Sequence, residues 1–404
     1  MSETVTLADI EAARPLVEVV AVRTPMLESR WLSSVLDAPV HLKCENLQRT
    51  GSFKVRGSAV RIARLSDEER RRGVVAASAG NHAQGVALAA QQHGITARVY
   101  MPDGAPIPKE RATRGYGADV VFEGSTLEDA LAAARAYADE TGAVLVHPFD
   151  HVDIVAGQGT LGLEIVEQCP EVATVVVPTG GGGLIAGIAA AVKGRKPGVR
   201  VVGVQAAAAA AYPPSLAEGH PIRLPSMATM ADGIAVGQPG DLPFAMVREY
   251  VDEVLTVSEE EMSRALLTLA EREKLVVEPA GAVAAAALAV DPSRFAGPVV
   301  VVLSGGNIDP LLLGKVIQHG MAAARRYLNL QVTIPDVPGG LVGMLAEVAD
   351  AGANVLEVVH ERISPNLHLN EVDVQVHLET RGEPHAEAVL ARLRDRGYAV
   401  VERR

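Results

Sequence analysis

At 404 residues the chain is long enough for about two or three domains, and with 48% hydrophobic but only 3% aromatic residues its core has to be built from Ala, Val, Leu and Ile. A formal net charge of -12 argues against a nucleic-acid or anionic-membrane partner. Two cysteines, Cys44 and Cys169, exclude a disulfide framework and metal-type cysteine spacing, and no apolar run approaches the ~20 residues of a membrane span, so the chain reads as a cytoplasmic protein.

In chain order, Val40-His41-Leu42-Lys43 reads as a strand, Gln48 to Ser52 as a polar turn, and the residues from Phe53 onward as a helix. Lys54 therefore opens a helix, where the macrodipole disfavours a cation and depresses an amine pKa, as a Schiff-base lysine requires. The ordinary reading of a single lysine is a solvated surface charge; the later loops decide between the two. Val74 to Ala77 is a strand followed by Ser78-Ala79-Gly80-Asn81-His82 and a helix from His82 to Gln92. That loop reads either as an anion site at a helix start or as a cap made by Ser78 or Asn81, with His82 structural.

Further β-branched runs at 97–100, 120–122, 144–146, 175–177, 201–204 and 299–303 alternate with Ala-rich segments of helical length, the signature of parallel sheets with crossover helices. Ligands in such sheets lie beyond the carboxyl ends of the strands. Thr179-Gly180-Gly181-Gly182-Gly183 stands at one such end and opens a helix from Leu184 to Val192. Its glycines let backbone N–H groups approach a phosphate, although the loop has neither a P-loop nor a dinucleotide-site pattern. The alanine tract 206–211 reads as a loop and a poor helix start, and Glu278 before Pro279 either tunes a site or ends a strand and caps a helix. Ser304-Gly305-Gly306-Asn307 follows the strand 299–303, with a hydroxyl able to reach a flat ring edge. A helix-start lysine, a tetraglycine cradle, an Asn loop and a Ser-Gly-Gly loop together fit pyridoxal phosphate, with its aldehyde on Lys54, its phosphate on Gly180 to Gly183 and its ring nitrogen at Ser304.

Near residue 327 the texture changes. Leu328, Leu330, Val332 and Ile334 alternate with polar residues, as do Val372, Val374, Val376 and Leu378. With amphipathic helices around Leu341–Val348 and Val389–Leu393 and a last apolar run at 398–401, this is a βαββαβ order of ferredoxin-like topology.

Thr50-Gly51-Ser52-Phe53-Lys54-Val55-Arg56-Gly57, the loop 78–82, the run 180–183, Glu278-Pro279-Ala280-Gly281 and Ser304 to Asn307 together resemble the fold-type-II pyridoxal-phosphate enzymes of tryptophan synthase β-like architecture, and within them the threonine ammonia-lyases (threonine dehydratases). The resemblance implies an α/β catalytic domain over residues 1–325, with a small subdomain at roughly 40–155 inserted in a larger one, each on a parallel sheet. It also implies elimination of water from L-threonine to give 2-oxobutanoate and ammonia, with L-serine a further substrate. Lys54 would be both covalent anchor and α-proton base. Phe53 would pack on the cofactor ring, Asn81 would touch the ring hydroxyl, and Ser78, Ala79, Gly80 and Asn81 would hold the substrate carboxylate.

Residues 328–404 resemble an ACT regulatory domain, whose amino-acid-binding turn would be Asp336-Val337-Pro338-Gly339-Gly340-Leu341, with Asn354 contributing. This is the single-ACT form, implying a branched-chain amino-acid effector and a homo-oligomer, dimer or tetramer. Related serine racemases carry a serine at the position of Ala79 and a divalent cation on carboxylates after the strand matching 201–204. Here Ala79 has no titratable hydrogen, and Gln205 with the alanine tract replaces the carboxylates, so no metal site is expected. The remaining alternatives are a serine dehydratase or racemase, and an inactive amino-acid sensor working through the ACT domain alone.

Overall fold

The computed structural model describes residues 4–361, 368 and 370–403. They fall into two compact units, Met1–Pro310 and Leu311–Arg404. No described helix is long and apolar enough to cross a membrane.

The first unit holds ten strands: β1 Met26–Glu28, β2 Val40–Cys44, β3 Val74–Ala77, β4 Ala97–Met101, β5 Asp119–Phe122, β6 Val144–Leu145, β7 Thr174–Pro178, β8 Arg200–Ala206, β9 Glu253–Val257 and β10 Val299–Leu303. They make a six-stranded sheet, β1-β2-β10-β7-β8-β9, parallel except for β1, and a four-stranded parallel sheet, β5-β4-β3-β6. β7 and β10 are buried at every residue, as continuous valine runs covered on both faces should be. The two edge strands β1 and β9 gave no sequence signal, because β1 has only three residues and β9 is partly exposed along most of its length, so neither carries a continuous apolar run. The alanine tract is more ordered than expected: β8 runs on through Ala206, one 3-10 turn spans Ala207–Ala209, and a helix starts at Tyr212. The buried Gln205 side chain closes this segment by accepting the Tyr212 N–H at 2.8 Å.

A core nearly without aromatics is filled by letting helix backbones touch. A Cβ on Gly187 would lie 2.6 Å from Gly159 N, so helices Val152–Gln168 and Gly183–Arg195 approach more closely than any side chain allows. A Cβ on Gly157 would lie 2.5 Å from Arg56 O, which seats the Lys54–Ala63 helix on the same neighbour. That helix is also anchored by charge. The buried Arg56 guanidinium grips Glu45 at 2.8 Å through both Nε and a terminal nitrogen, and Glu164 at 2.7 and 3.1 Å; Lys43 Nζ reaches Glu164 at 2.6 Å and Gln168 at 2.7 Å. Two cations and two carboxylates, each hydrogen-bonded, make a polar network compatible with burial.

The second unit holds β11 Tyr327–Pro335, β12 Asn354–Glu361, β13 Glu371–Glu379 and β14 Ala399–Glu402 in an antiparallel sheet ordered β12-β13-β11-β14. Helices Gly340–Asp350 and Glu383–Asp395 complete the βαββαβ order. Leu328, Leu330, Val332 and Ile334 pack with Met344, Val348, Val389, Leu390 and Leu393 in one core. β12 is implied by the βαββαβ order but is not located by its sequence, because none of its residues is fully buried, which erases the alternation that marks β11 and β13.

Candidate active site

Parallel pairing points the carboxyl ends of β2, β3, β6, β7 and β10 at loops that converge. Lys54 is the first residue of its helix. Its Nζ donates to Pro148 O at 3.0 Å and lies 5.3 Å from the centroid of the Phe53 ring. Burial pushes the amine down to about 8, with Glu278 pulling the other way. A helix start alone predicts this depression through the dipole; in the fold its cause is removal from water. The nearby His82 imidazole, pushed down to about 3 by burial and by Lys54, is neutral and fixed to Val146 O at 2.8 Å, a structural part as expected.

The 78–81 loop differs in detail from its expected form. Gly80, not Ser78 or Asn81, is the capping residue of helix Asn81–Gln92, and it has no side-chain cap. The Ser78 hydroxyl instead accepts the Gly80 N–H at 3.1 Å, so that N–H is already engaged within the loop. A Cβ on Gly80 would find only Lys109 Nζ, 3.9 Å away, within 4 Å, which leaves room for a ligand on that side. Asn81 donates through Nδ2 to Glu278 Oε1 at 2.6 Å. Glu278 is the N-cap residue of helix Pro279–Val290 through its backbone, but its side chain makes no capping bond; its buried carboxyl is pushed up to about 7 by desolvation and by Asp232.

The tetraglycine turn after β7 is seated on two aromatic rings. A Cβ on Gly181 would lie 2.6 Å from the Phe149 ring, on Gly182 1.8 Å from Tyr212 Oη, and on Gly183 2.8 Å from Phe149 O; Gly180 packs on Ile234. Gly182 also takes φ +98°, a conformation that favours glycine. Because Phe149 follows Pro148, which holds Lys54, this turn and the lysine belong to one site. Ser304 is buried, with Oγ 3.5 Å from Ala280 O, and its carbonyl takes the Phe53 N–H at 3.1 Å.

Three contributors had no role in the sequence reading. The 147–151 turn follows the run 144–146, so the carboxyl-end rule applied to that strand would have found Pro148 and Phe149. Lys109 and Asp232 form a 2.5 Å ion pair beside the 78–81 loop and Glu278, and no local pattern links residues so far apart. Asn307 was read only as the end of its loop. In the second unit, Gly339 and Gly340 line a groove of about 460 Å³ with Glu371, Arg396 and Tyr398, whereas Asp336, Pro338, Leu341 and Asn354 stand outside it. Among the described residues one group has metal-ligand character, His41, Cys169 and Glu171, and it contains none of the site residues.

Pyridoxal phosphate can be tested against the residues present. Ser52 Oγ, two residues before Lys54, is buried without a hydrogen-bond partner, the space beside Gly80 is open, and the amine of Lys54 is depressed. An orphaned hydroxyl, an open anion loop and an activated amine fit that group.

Comparison with known proteins agrees. The family model described as pyridoxal-phosphate dependent enzyme matches residues 17–305. The L-threonine ammonia-lyase of Thermotoga maritima is 46% identical over 396 residues, spanning 98% of this chain and 99% of its own. Among solved structures, the processed form of threonine deaminase isoform 2 from Solanum lycopersicum is 38% identical with a TM-score of 0.75, covering 78% of this chain and 92% of its own. Maize serine racemase is 34% identical with a TM-score of 0.74, covering 80% of this chain and 100% of its own.

Proposed function

We propose that this chain, which belongs to the family of pyridoxal-phosphate dependent enzymes, is a threonine ammonia-lyase converting L-threonine to 2-oxobutanoate and ammonia. The observation that carries this reading is the half-buried Lys54, whose amine is held at Pro148 O where the loops converge. Pyridoxal phosphate, when bound, supplies the electron sink that acidifies the α-carbon of an amino acid. With its pKa brought down to about 8, a free Lys54 amine loses its proton far more readily than an ordinary lysine and can take the α-proton. The N–H groups of Ala79 and Asn81, left over once Ser78 has engaged Gly80, receive the substrate carboxylate. Departure of the β-hydroxyl as water, then hydrolysis of the resulting enamine, gives the 2-oxo acid and ammonia.

Ala79 offers no group to return a proton to the α-carbon, which favours elimination over racemisation. Ser304, a neutral hydroxyl, does not hold a proton on a ring nitrogen as a carboxylate would. L-Serine, one methyl smaller, is a second substrate. The second unit is read as an ACT-type regulatory domain taking a branched-chain amino acid at the turn from Asp336 to Leu341, with Asn354 contributing. Association through the strand edges of that unit makes the enzyme a homo-oligomer. The two buried free thiols, Cys44 and Cys169, suit a cytoplasmic setting.

The test is product identification with L-threonine and L-serine. Wild type should release 2-oxobutanoate and pyruvate respectively, whereas Lys54→Ala should lose both turnover and the visible absorbance of the bound cofactor. Turnover retained in that variant overturns the assignment. Release of D-serine at a rate comparable to ammonia would instead favour a racemase, the activity named for the maize relative.

A further inference from the structure

We propose that Asn307 is a positioning residue whose work is to fix which face of the Asn81 amide looks into the active site. The inference rests on the reading above in which Asn81 lines the cofactor and substrate.

An asparagine side chain can sit in a site either way round, presenting its donor or its acceptor, and only its partners decide. Here the decision starts at a backbone carbonyl. Thr50 O can only accept, and it lies 2.7 Å from Asn307, so the Asn307 atom facing it is Nδ2. The second hydrogen of that nitrogen points at Asn81, 2.8 Å away, so the Asn81 atom facing it must be the acceptor Oδ1. The NH2 of Asn81 is thereby turned toward Glu278 Oε1, 2.6 Å off, the carboxyl whose charge acts on Lys54.

Two further features belong to the same device. A Cβ on Gly51 would lie 2.2 Å from Asn307 Oδ1, so a side chain at that position would displace Asn307; Gly51 also takes φ +69°. Thr50 and Gly51 belong to the turn that delivers Lys54, so one amide ties the lysine turn, the 78–81 loop and its own Ser-Gly-Gly-Asn loop together. Nothing in the mechanism above requires Asn307 to touch a reacting atom; it acts through Asn81.

The test is a double-mutant cycle on the holoenzyme, read both as kcat for L-threonine and as the absorbance maximum of the bound cofactor. Asn81→Ala should lower kcat at least ~10-fold and shift that maximum, as expected when a hydrogen bond worth about 1.4 kcal/mol is lost. Asn307→Ala should do about the same alone, yet change neither quantity by more than about 2-fold or a few nanometres in the Asn81→Ala background. Independent, multiplicative losses would overturn the inference, because Asn307 would then act on something other than Asn81. If Asn307→Ala proves too unstable to purify, Asn307→Asp serves. It is isosteric but presents only oxygens to Thr50 O and Asn81 Oδ1, so it should turn the Asn81 amide over and shift the absorbance in an Asn81-dependent way; an unshifted spectrum overturns the inference. An Asn81→Ala enzyme identical to wild type in both readouts overturns it too, and marks the failure as lying in the placement of Asn81 itself.

Discussion

Half-buried Lys54 and buried Glu278 are ionisable neighbours in the cleft, and each is shifted from its ordinary pKa in the direction that removal from water dictates. Glu278, at about 7 against an ordinary 4.5, keeps a proton in the folded cofactor-free protein that the unfolded chain has lost. Its contribution to stability is therefore fully present below about pH 4.5 and is lost as pH rises through 7. Lys54, at about 8 against 10.5, behaves in the opposite sense: its burial is unfavourable below pH 8 and is relieved as the unfolded chain also loses its proton toward 10.5. Urea midpoints of cofactor-free Glu278→Gln should accordingly lack the fall expected of the wild type between pH 4.5 and 7, a difference of up to about 3 kcal/mol across that window. An unchanged slope would show that Glu278 does not hold its proton through that range. The lysine could be read from sequence because a cation at a helix start is a local anomaly. The raised pKa of Glu278 could not, since it arises from burial and from the distant Asp232, both brought about by the fold, against the opposing pull of Lys109 and Asn81.

At the scale of single elements, two pieces hold the site in shape: the glycine turn after β7 and the helix that begins with Lys54. Gly182→Ala introduces a Cβ 1.8 Å from Tyr212 Oη at a φ of +98°. The turn has to shift, and cofactor retention on dilution should fall at least ~10-fold with a loss of stability of about 1–3 kcal/mol. Cofactor release rates and denaturation midpoints check both. The sequence showed four glycines and suggested a phosphate; the rings of Phe149 and Tyr212 add a packing reason for small residues that only contacts distant in the chain reveal. For the helix, Arg56→Met removes the guanidinium between Glu45 and Glu164 and leaves both carboxylates buried with Lys43 as the remaining cation. Such a break should cost about 3–5 kcal/mol, whereas Glu164→Gln, which leaves the Arg56–Glu45 fork in place, should cost less. Equal midpoints for wild type and Arg56→Met would mean that the network adds nothing to the anchoring of the helix.

At the scale of the whole molecule the chain is two units, and the proposal assigns turnover to Met1–Pro310 and regulation to Leu311–Arg404. A chain ending at Arg326 should keep turning over L-threonine while losing any change of rate on adding isoleucine or valine. A persisting response would move the effector site into the first unit. What the sequence determined by itself is whatever depends on neighbours along the chain: the buried valine runs of β7 and β10, the alternation of β11 and β13, the helix-start lysine and the glycine turn. Edge strands β1 and β9 stayed hidden, and β12, though implied by the βαββαβ order, could not be placed, because partial burial leaves no periodic mark. What only the tertiary structure decided is which loops meet. Thr50 and Asn307 are 257 positions apart, and Lys54 and Pro148 are 94 apart, yet each pair is hydrogen-bonded. Parallel strands that are neighbours in a sheet are separated by whole crossover helices in the chain. The acidity of Lys54, the facing of Asn81 and the seat of the glycine turn were therefore all set by pairing across the sheets, which no local pattern records.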